Sequence, residues 1–268
     1  MPLARVGDIE LDYERSGSGP PLLMIMGMSG TALHWTEPFL DALRPEFEVI
    51  VYDHRGVGES THLEGAITIA QLAEDAAGLI AALELDSPHV LGISMGGMIA
   101  QELALAHPER VHTLTLGCTY CGGEGSVLAA PEDLQELIQA MLSGDRQRAL
   151  RAGFEINLSP DAVAAKGNWE RFVAIAEQRA VAVEVVMTQM QACMAHDANA
   201  RLEQLSMPTL VIHGTADRLL PFANGQLIAS RIPGARLELL DGIGHMFWWE
   251  QPERSAELIR SHALALAS

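Results

Sequence analysis

Ser94 lies in Gly92-Ile93-Ser94-Met95-Gly96, at the junction of a short apolar run and a stretch with helical spacing. A sharp strand-to-helix turn there holds the serine in a strained, exposed position, and the two glycines leave room for the backbone to fold back. The helix start adds amide donors and a positive dipole end beside the hydroxyl. A serine hydroxyl is a weak nucleophile, so it needs a base, and the base needs an orienting acid. An aspartate at position 94 would suggest alkyl-halide or epoxide opening; a serine points to carbonyl attack and acyl transfer.

Of ten histidines, His245 is the best placed base. It follows Gly242-Ile243-Gly244, in a loop directly after the last strand-like run. His34, His54 and His89 lie near strand ends and read as local structural residues, and His213 falls inside a strand and reads as buried. Asp217 ends His213-Gly214-Thr215-Ala216-Asp217, after the penultimate strand, at the edge where His245 is expected. Asp241 is the rival carboxylate at another strand end. Its closeness to His245 suits a loop cap, so Asp217 is preferred.

These residues need a frame to bring them together. Ala4–Val6 and Ile9–Glu14 alternate around Gly7-Asp8 as an antiparallel hairpin. Leu22–Met26, Glu48–Tyr52, His89–Ile93, Val111–Leu116, Thr209–His213 and Arg236–Leu240 are short apolar runs. Helical patterns separate them, the strongest at Thr68–Leu83. This rhythm predicts an α/β fold with a mostly parallel, eight-stranded sheet and helices on both faces. Between Thr119 and Ser206 it stops, and helical patterns follow at Pro131–Leu142, Asp145–Glu155, Pro160–Lys166 and Trp169–His196. Residues 1–118 and 206–268 are therefore read as the core domain. Residues 119–205 are read as a helical cap, or lid, over the edge where open α/β sheets bind ligands.

Composition narrows the partners. Lys and Arg number 17 against 35 Asp and Glu, a formal charge of -18, which disfavours nucleic acid and anionic lipid surfaces. No apolar stretch is long enough for a membrane span, and Met1 to Asp8 lacks a secretory core, so a cytoplasmic location is expected. Cys118 and Cys121 have C-x-x-C spacing without a second pair or a nearby histidine, and read as core or loop thiols. No metal or cofactor is expected, and a homodimer stays open.

The order Ser94, Asp217, His245 is that of the α/β-hydrolase fold family, which the chain resembles over nearly its whole length. The matching stretches are Met26-Gly27-Met28, Asp53-His54-Arg55-Gly56-Val57-Gly58-Glu59-Ser60, the Ser94 turn, Gly214-Thr215-Ala216-Asp217-Arg218, and Gly244-His245 with Glu250-Gln251-Pro252-Glu253. The resemblance supports Asp217 and His245 as acid and base. It also implies an oxyanion hole from the backbone N–H of Met28 and Met95. Family members usually carry His-Gly where this chain has Met26-Gly27; a backbone donor survives that change. The closest likeness is to the branch of carboxylesterases, aclacinomycin methylesterases and 3-oxoadipate enol-lactonases. The Asp53–Arg55 turn is read as structural.

Methionines concentrate near these motifs, and thioethers suit an adaptable apolar pocket as well as a core. The pocket residues expected are Gly27, Met98, Met187, Met190, Met246 and Trp248, with one ring of Phe247-Trp248-Trp249 walling the site. No Arg or Lys cluster marks a carboxylate-reading pocket, which favours a small to medium, apolar carboxylic ester. The same triad suits a lactonase, a C–C bond hydrolase or a cofactor-free haloperoxidase or perhydrolase. A small-molecule receptor with a retained triad is the non-enzymatic alternative.

Overall fold

The computed structural model describes residues 2–265. Its strands are β1 (Leu3–Val6), β2 (Ile9–Gly17), β3 (Pro21–Ile25), β4 (Glu48–Tyr52), β5 (His89–Ile93), β6 (Leu114–Gly117), β7 (Thr209–Gly214) and β8 (Arg236–Leu240). They form an eight-stranded sheet in the order β1-β2-β4-β3-β5-β6-β7-β8, parallel from β4 to β8 and antiparallel at the β1–β2 edge. The central strands are continuous apolar runs because both faces are covered. Along β3, Leu22 and Met24 enter one core and Leu23 and Ile25 the other, as the two-residue repeat of a strand requires.

The first of these cores is closed by α1 (Glu37–Leu43) and by α11 (Pro252–Leu264), which opens on a proline at its first position. The second is closed by α2 (Ile69–Ala82) and α3 (Met95–Ala106). The amphipathic stripe expected through Ile69, Leu72, Ala76, Leu79, Ile80 and Leu83 is the buried face of α2 for its first five members; Leu83 caps the helix and is only partly buried against the same core. A reciprocal cap between Thr68 and Gln71 starts that helix.

Five helices stand between β6 and β7: α4 (Pro131–Leu142), α5 (Arg146–Asn157), α6 (Pro160–Ala164), α7 (Asn168–Gln178) and α8 (Val183–Met194). The insert is seated on both cores. Phe154 of α5 and Phe172 of α7 pack into the first, with Phe172 against Trp249 at 6.1 Å between ring centroids. Ala192 of α8 packs into the second. Beyond the insert come α9 (Ala223–Arg231) and the short α10 (Phe247–Glu250).

The single helix expected over Trp169–His196 is divided in two. Arg179 leaves helical geometry, with φ −145° and ψ 89°, and its guanidinium pairs with Asp12 at 3.0 Å and with Asp53. Both carboxylates are fully buried on the sheet. Two buried acids at one place need a cation, and the requirement overrides the local helical pattern.

Strand register places the site. Ile25 pairs with Gly92, Ile93 with Gly117, Gly117 with Ile212, and Gly214 with Leu240. The C-terminal ends of five parallel strands are therefore level, and the loops after β3, β5, β6, β7 and β8 open on one edge. Among the described residues no helix is long and apolar enough to cross a membrane.

Arg179→Ala leaves Asp12 and Asp53 buried without that cation and should cost about 3–5 kcal/mol, read by urea unfolding. Burial already raises the Asp53 carboxyl above its ordinary value, partly opposed by the Ala32 amide and Arg179. A raised folded-state pKa favours the protonated form, so the loss should be largest at alkaline pH and shrink as pH falls through that pKa. A pH-independent loss would show that the pair contributes by packing alone.

Candidate active site

Ser94 stands between β5 and α3 with φ 53° and ψ −124°, a conformation that costs a side-chain-bearing residue about 1–3 kcal/mol. Its surroundings over-determine it. The Ser94 amide donates to Gly117 O at 3.0 Å, and its carbonyl accepts from Gly97 N at 2.9 Å and Thr119 Oγ1 at 2.7 Å. The glycines of the motif are there for space: a Cβ on Gly92 would stand 2.2 Å from Gly96 O, and one on Gly96 only 2.0 Å from Ile25 O. The turn is thus pressed onto the end of β3.

The loop after β3 meets the serine directly. A Cβ on Gly27 would lie 2.9 Å from Ser94 Cβ, so a larger residue could not occupy that place. His54 donates through Nε2 to Met26 O at 2.9 Å, and Asp53 accepts from the Ala32 amide at 2.6 Å. The Asp53–Arg55 turn is therefore a brace for this loop, and Arg55 is itself held by Asp75. Neither the Met28 nor the Met95 amide donates to another group among the described residues, and Met95 opens α3, where a first-turn N–H has no helical acceptor.

His245 and Asp217 come from the far end of the chain and are both buried. His245 Nδ1 lies 2.7 Å from Asp217 Oδ2. Asp217 Oδ1 accepts from the Leu219 and Leu220 amides, each at 2.9 Å. His213 Nε2 lies 3.2 Å from Asp217 Oδ2 and 2.7 Å from Leu220 O. Burial alone would raise the Asp217 carboxyl, but the charge of His245 and the hydrogen bonds from both histidines outweigh it and hold the pKa at about 2. Burial likewise opposes the His245 imidazolium, and the Asp217 carboxylate more than offsets it, so this ring titrates well above an ordinary histidine. Asp241 is exposed and accepts from Thr215 Oγ1 at 3.2 Å, as a loop cap does.

Ser94 and His245 share the wall of one cavity of about 360 Å³. Gly27, Met28, Met246 and Trp248 line it, and Trp248 is fixed by its indole donating to His34 O at 2.9 Å. Phe247 and Trp249 are buried in the core. A second cavity, of about 80 Å³, adjoins it at Met28 and Ser94 and is lined by Met98 and Met190. Met187 lines neither cavity. On α8 the buried face runs through Val186, Gln189 and Ala192, and Met187 is rotated off it.

Several residues of the site escape sequence reasoning. Leu137 of α4 and Leu219 after β7 border both cavities, and nothing in their local pattern separates them from core leucines. Arg146 of α5 and Arg179 also line the larger cavity; the Arg179 guanidinium is held by Asp12 and Asp53, and Arg146 donates to Ala176 O. His34 also lines it, as a ring that burial keeps neutral, its pKa lowered to about 4. Gln189 is fully buried, and its Oε1 accepts from the Ser29 amide at 2.9 Å. A glutamine on the apolar stripe of α8 was a usable signal for that last contact.

The family model of the alpha/beta hydrolase fold matches residues 20–172. The chain is 31% identical over 265 residues to "Putative carbamate hydrolase RutD" of Azorhizobium caulinodans, covering 97% of each protein. It is 32% identical over 244 residues to the Poly(3-hydroxyalkanoate) depolymerase of Ectopseudomonas oleovorans, covering 89% of this chain and 82% of that one. The solved enol-lactonase from Burkholderia xenovorans LB400 has a TM-score of 0.84 at 26% identity, covering 96% of this chain and 98% of that one.

Asp217→Asn should lower kcat about 10⁴-fold, and Asp241→Asn should change it by less than about threefold. The pH profile adds an independent reading. A base works only when neutral, so activity should rise with pH through the His245 pKa. Asparagine removes the charge that lifts this pKa and leaves burial, which lowers it. The acid limb of kcat/KM should therefore move to lower pH in Asp217→Asn; a shift the other way would unseat Asp217 as the partner of the ring.

Proposed function

The chain belongs to the α/β-hydrolase fold family, and within it we propose a serine hydrolase that cleaves carboxylic esters through an acyl-enzyme intermediate. The observation that carries this reading is the pairing of His245 Nδ1 with the buried Asp217 carboxylate at 2.7 Å, in the wall of the cavity that also holds Ser94. With Nδ1 so engaged, Nε2 is the nitrogen left to take a proton. His245 accepts the Ser94 proton as the oxygen attacks the ester carbonyl, and Asp217 stabilises the imidazolium that forms. The carbonyl oxygen gains negative charge and is met by the Met28 and Met95 amides, each worth roughly a hundred- to a thousandfold in rate. His245 then gives its proton to the departing alcohol, and water activated by the same ring releases the acid.

Two features support the ester reading. Apolar side chains such as Met26, Met28, Ile93, Met246 and Trp248 surround Ser94 in the larger cavity, and beside the relative named as a carbamate hydrolase stand one named as a poly(3-hydroxyalkanoate) depolymerase and one as an enol-lactonase. Helices α4 to α8 serve as a cap, since α4, α5, α7 and α8 each contribute to the larger cavity. Cys118 is buried beside His245, and burial raises its thiol pKa although His245 opposes this. It therefore stays protonated and does not compete as nucleophile.

Ser94→Ala should lower kcat on a nitrophenyl ester by about four to six orders of magnitude with an unchanged far-ultraviolet spectrum. An organophosphonate should add its phosphonyl mass to the wild type alone. Retention of most activity by the alanine variant would remove the mechanism, and ligand binding with no turnover in the wild type would favour a receptor.

A further inference from the structure

Ser94 stands at the junction of two cavities of unequal size and different character, and a nucleophile so placed divides its substrate between them. The larger contains His245 together with Met246 and Trp248. The smaller contains none of these three; it is bounded by Met98, Tyr120, Ala129 and Met190. Leu137, Leu219 and Met28 stand on the boundary and belong to both.

An ester bound at Ser94 has two arms, and the chemistry says which arm goes where. The alkoxide expelled from the tetrahedral intermediate takes its proton from His245, so the alcohol must lie on the side of the ring. The acyl group stays bonded to Ser94 Oγ and must lie on the other side. We infer that the small apolar cavity is the acyl site and the large cavity the alcohol site, making the substrate class short-chain acyl esters of bulky alcohols. This assignment rests on the serine-esterase reading above.

Volume sets the scale. Taking about 30 Å³ per water-sized group, the 80 Å³ site holds roughly three methylene-sized groups beyond the carbonyl, and the 360 Å³ site roughly a dozen. The acyl site offers thioethers and hydrocarbon, and the Tyr120 OH is already engaged in donating to Cys193 O. The alcohol site adds Arg146, Asn157 and His34 to its apolar walls, so the alcohol can carry polar groups. Leu128 and Met194, which line the acyl site, are 38% and 57% exposed, so the site has an edge open to solvent. A longer chain would leave the site there and meet water.

The test uses two ester series at fixed enzyme: nitrophenyl esters from acetate to octanoate, and butanoates from methyl to naphthylmethyl. In the wild type kcat/KM should rise from acetate to butanoate and gain nothing beyond it, and should rise along the whole alcohol series. Ala129→Phe should narrow the acyl site. Gly153→Phe should narrow the alcohol site, where a Cβ at Gly153 meets no neighbour within 4 Å. Misfit in an apolar pocket is worth about 10–200-fold. Ala129→Phe should lower the butanoate-to-acetate ratio by that factor and leave the naphthylmethyl-to-methyl ratio unmoved; Gly153→Phe should do the reverse. Ala129→Leu and Gly153→Leu repeat the comparison if a phenylalanine variant does not fold. Crossed effects, or two unmoved ratios, would overturn the assignment while leaving the esterase standing. Absence of Ser94-dependent turnover on every ester would overturn both.

Discussion

The contact on which this structure depends is a backbone one: Gly96 lies against the end of β3 so closely that the carbonyl of Ile25 occupies the place of any side chain. Two strands and a helix can approach to that distance only with glycine at the crossing. The approach brings Gly27 onto Ser94. It also fixes the start of α3, whose first residue, Met95, directly follows Ser94. The strain at Ser94 is supported by hydrogen bonds from β6 and from Thr119, so the fold rather than the local sequence carries its cost.

Around this contact the charges are arranged by burial. Asp217 shares one carboxylate oxygen between His245 and His213, and the other is bound by two backbone amides. An acid so satisfied stays ionised and cannot drift, which keeps the ring of His245 in one orientation. Asp53 and Asp12 repeat the principle on the opposite flank, where the counter-charge is Arg179 from the insert. One carboxylate holds an imidazole ring; the other two fasten the insert to the sheet.

Much of this was legible from residue order. The parallel strands show as uninterrupted apolar runs, α2 as a stripe, and the three chemical residues as polar groups placed just after strand ends. Asp217 was preferred over Asp241 because it follows the penultimate strand, whereas Asp241 lies near enough to His245 in sequence to read as a loop cap; the two amides that bind Asp217 show only in space. What stayed hidden depends on distance in space. Helical periodicity over Trp169–His196 is real on either side of Arg179, and no local pattern announces two carboxylates more than a hundred residues away. Met187 and Gln189 differ by two positions on α8, yet a rotation of about 200° separates them, so the glutamine reaches the loop after β3 and the methionine does not. Cavity walls built from Leu137 and Leu219 require the tertiary fold to be known.

The bond between Gln189 and the Ser29 amide joins the insert to the segment that carries Met28. Ser29 has φ 60°, so this segment is held in a conformation that an unanchored serine seldom adopts. Any displacement of α8 would strip that amide of its acceptor and leave the backbone next to Met28 without its tie to the insert.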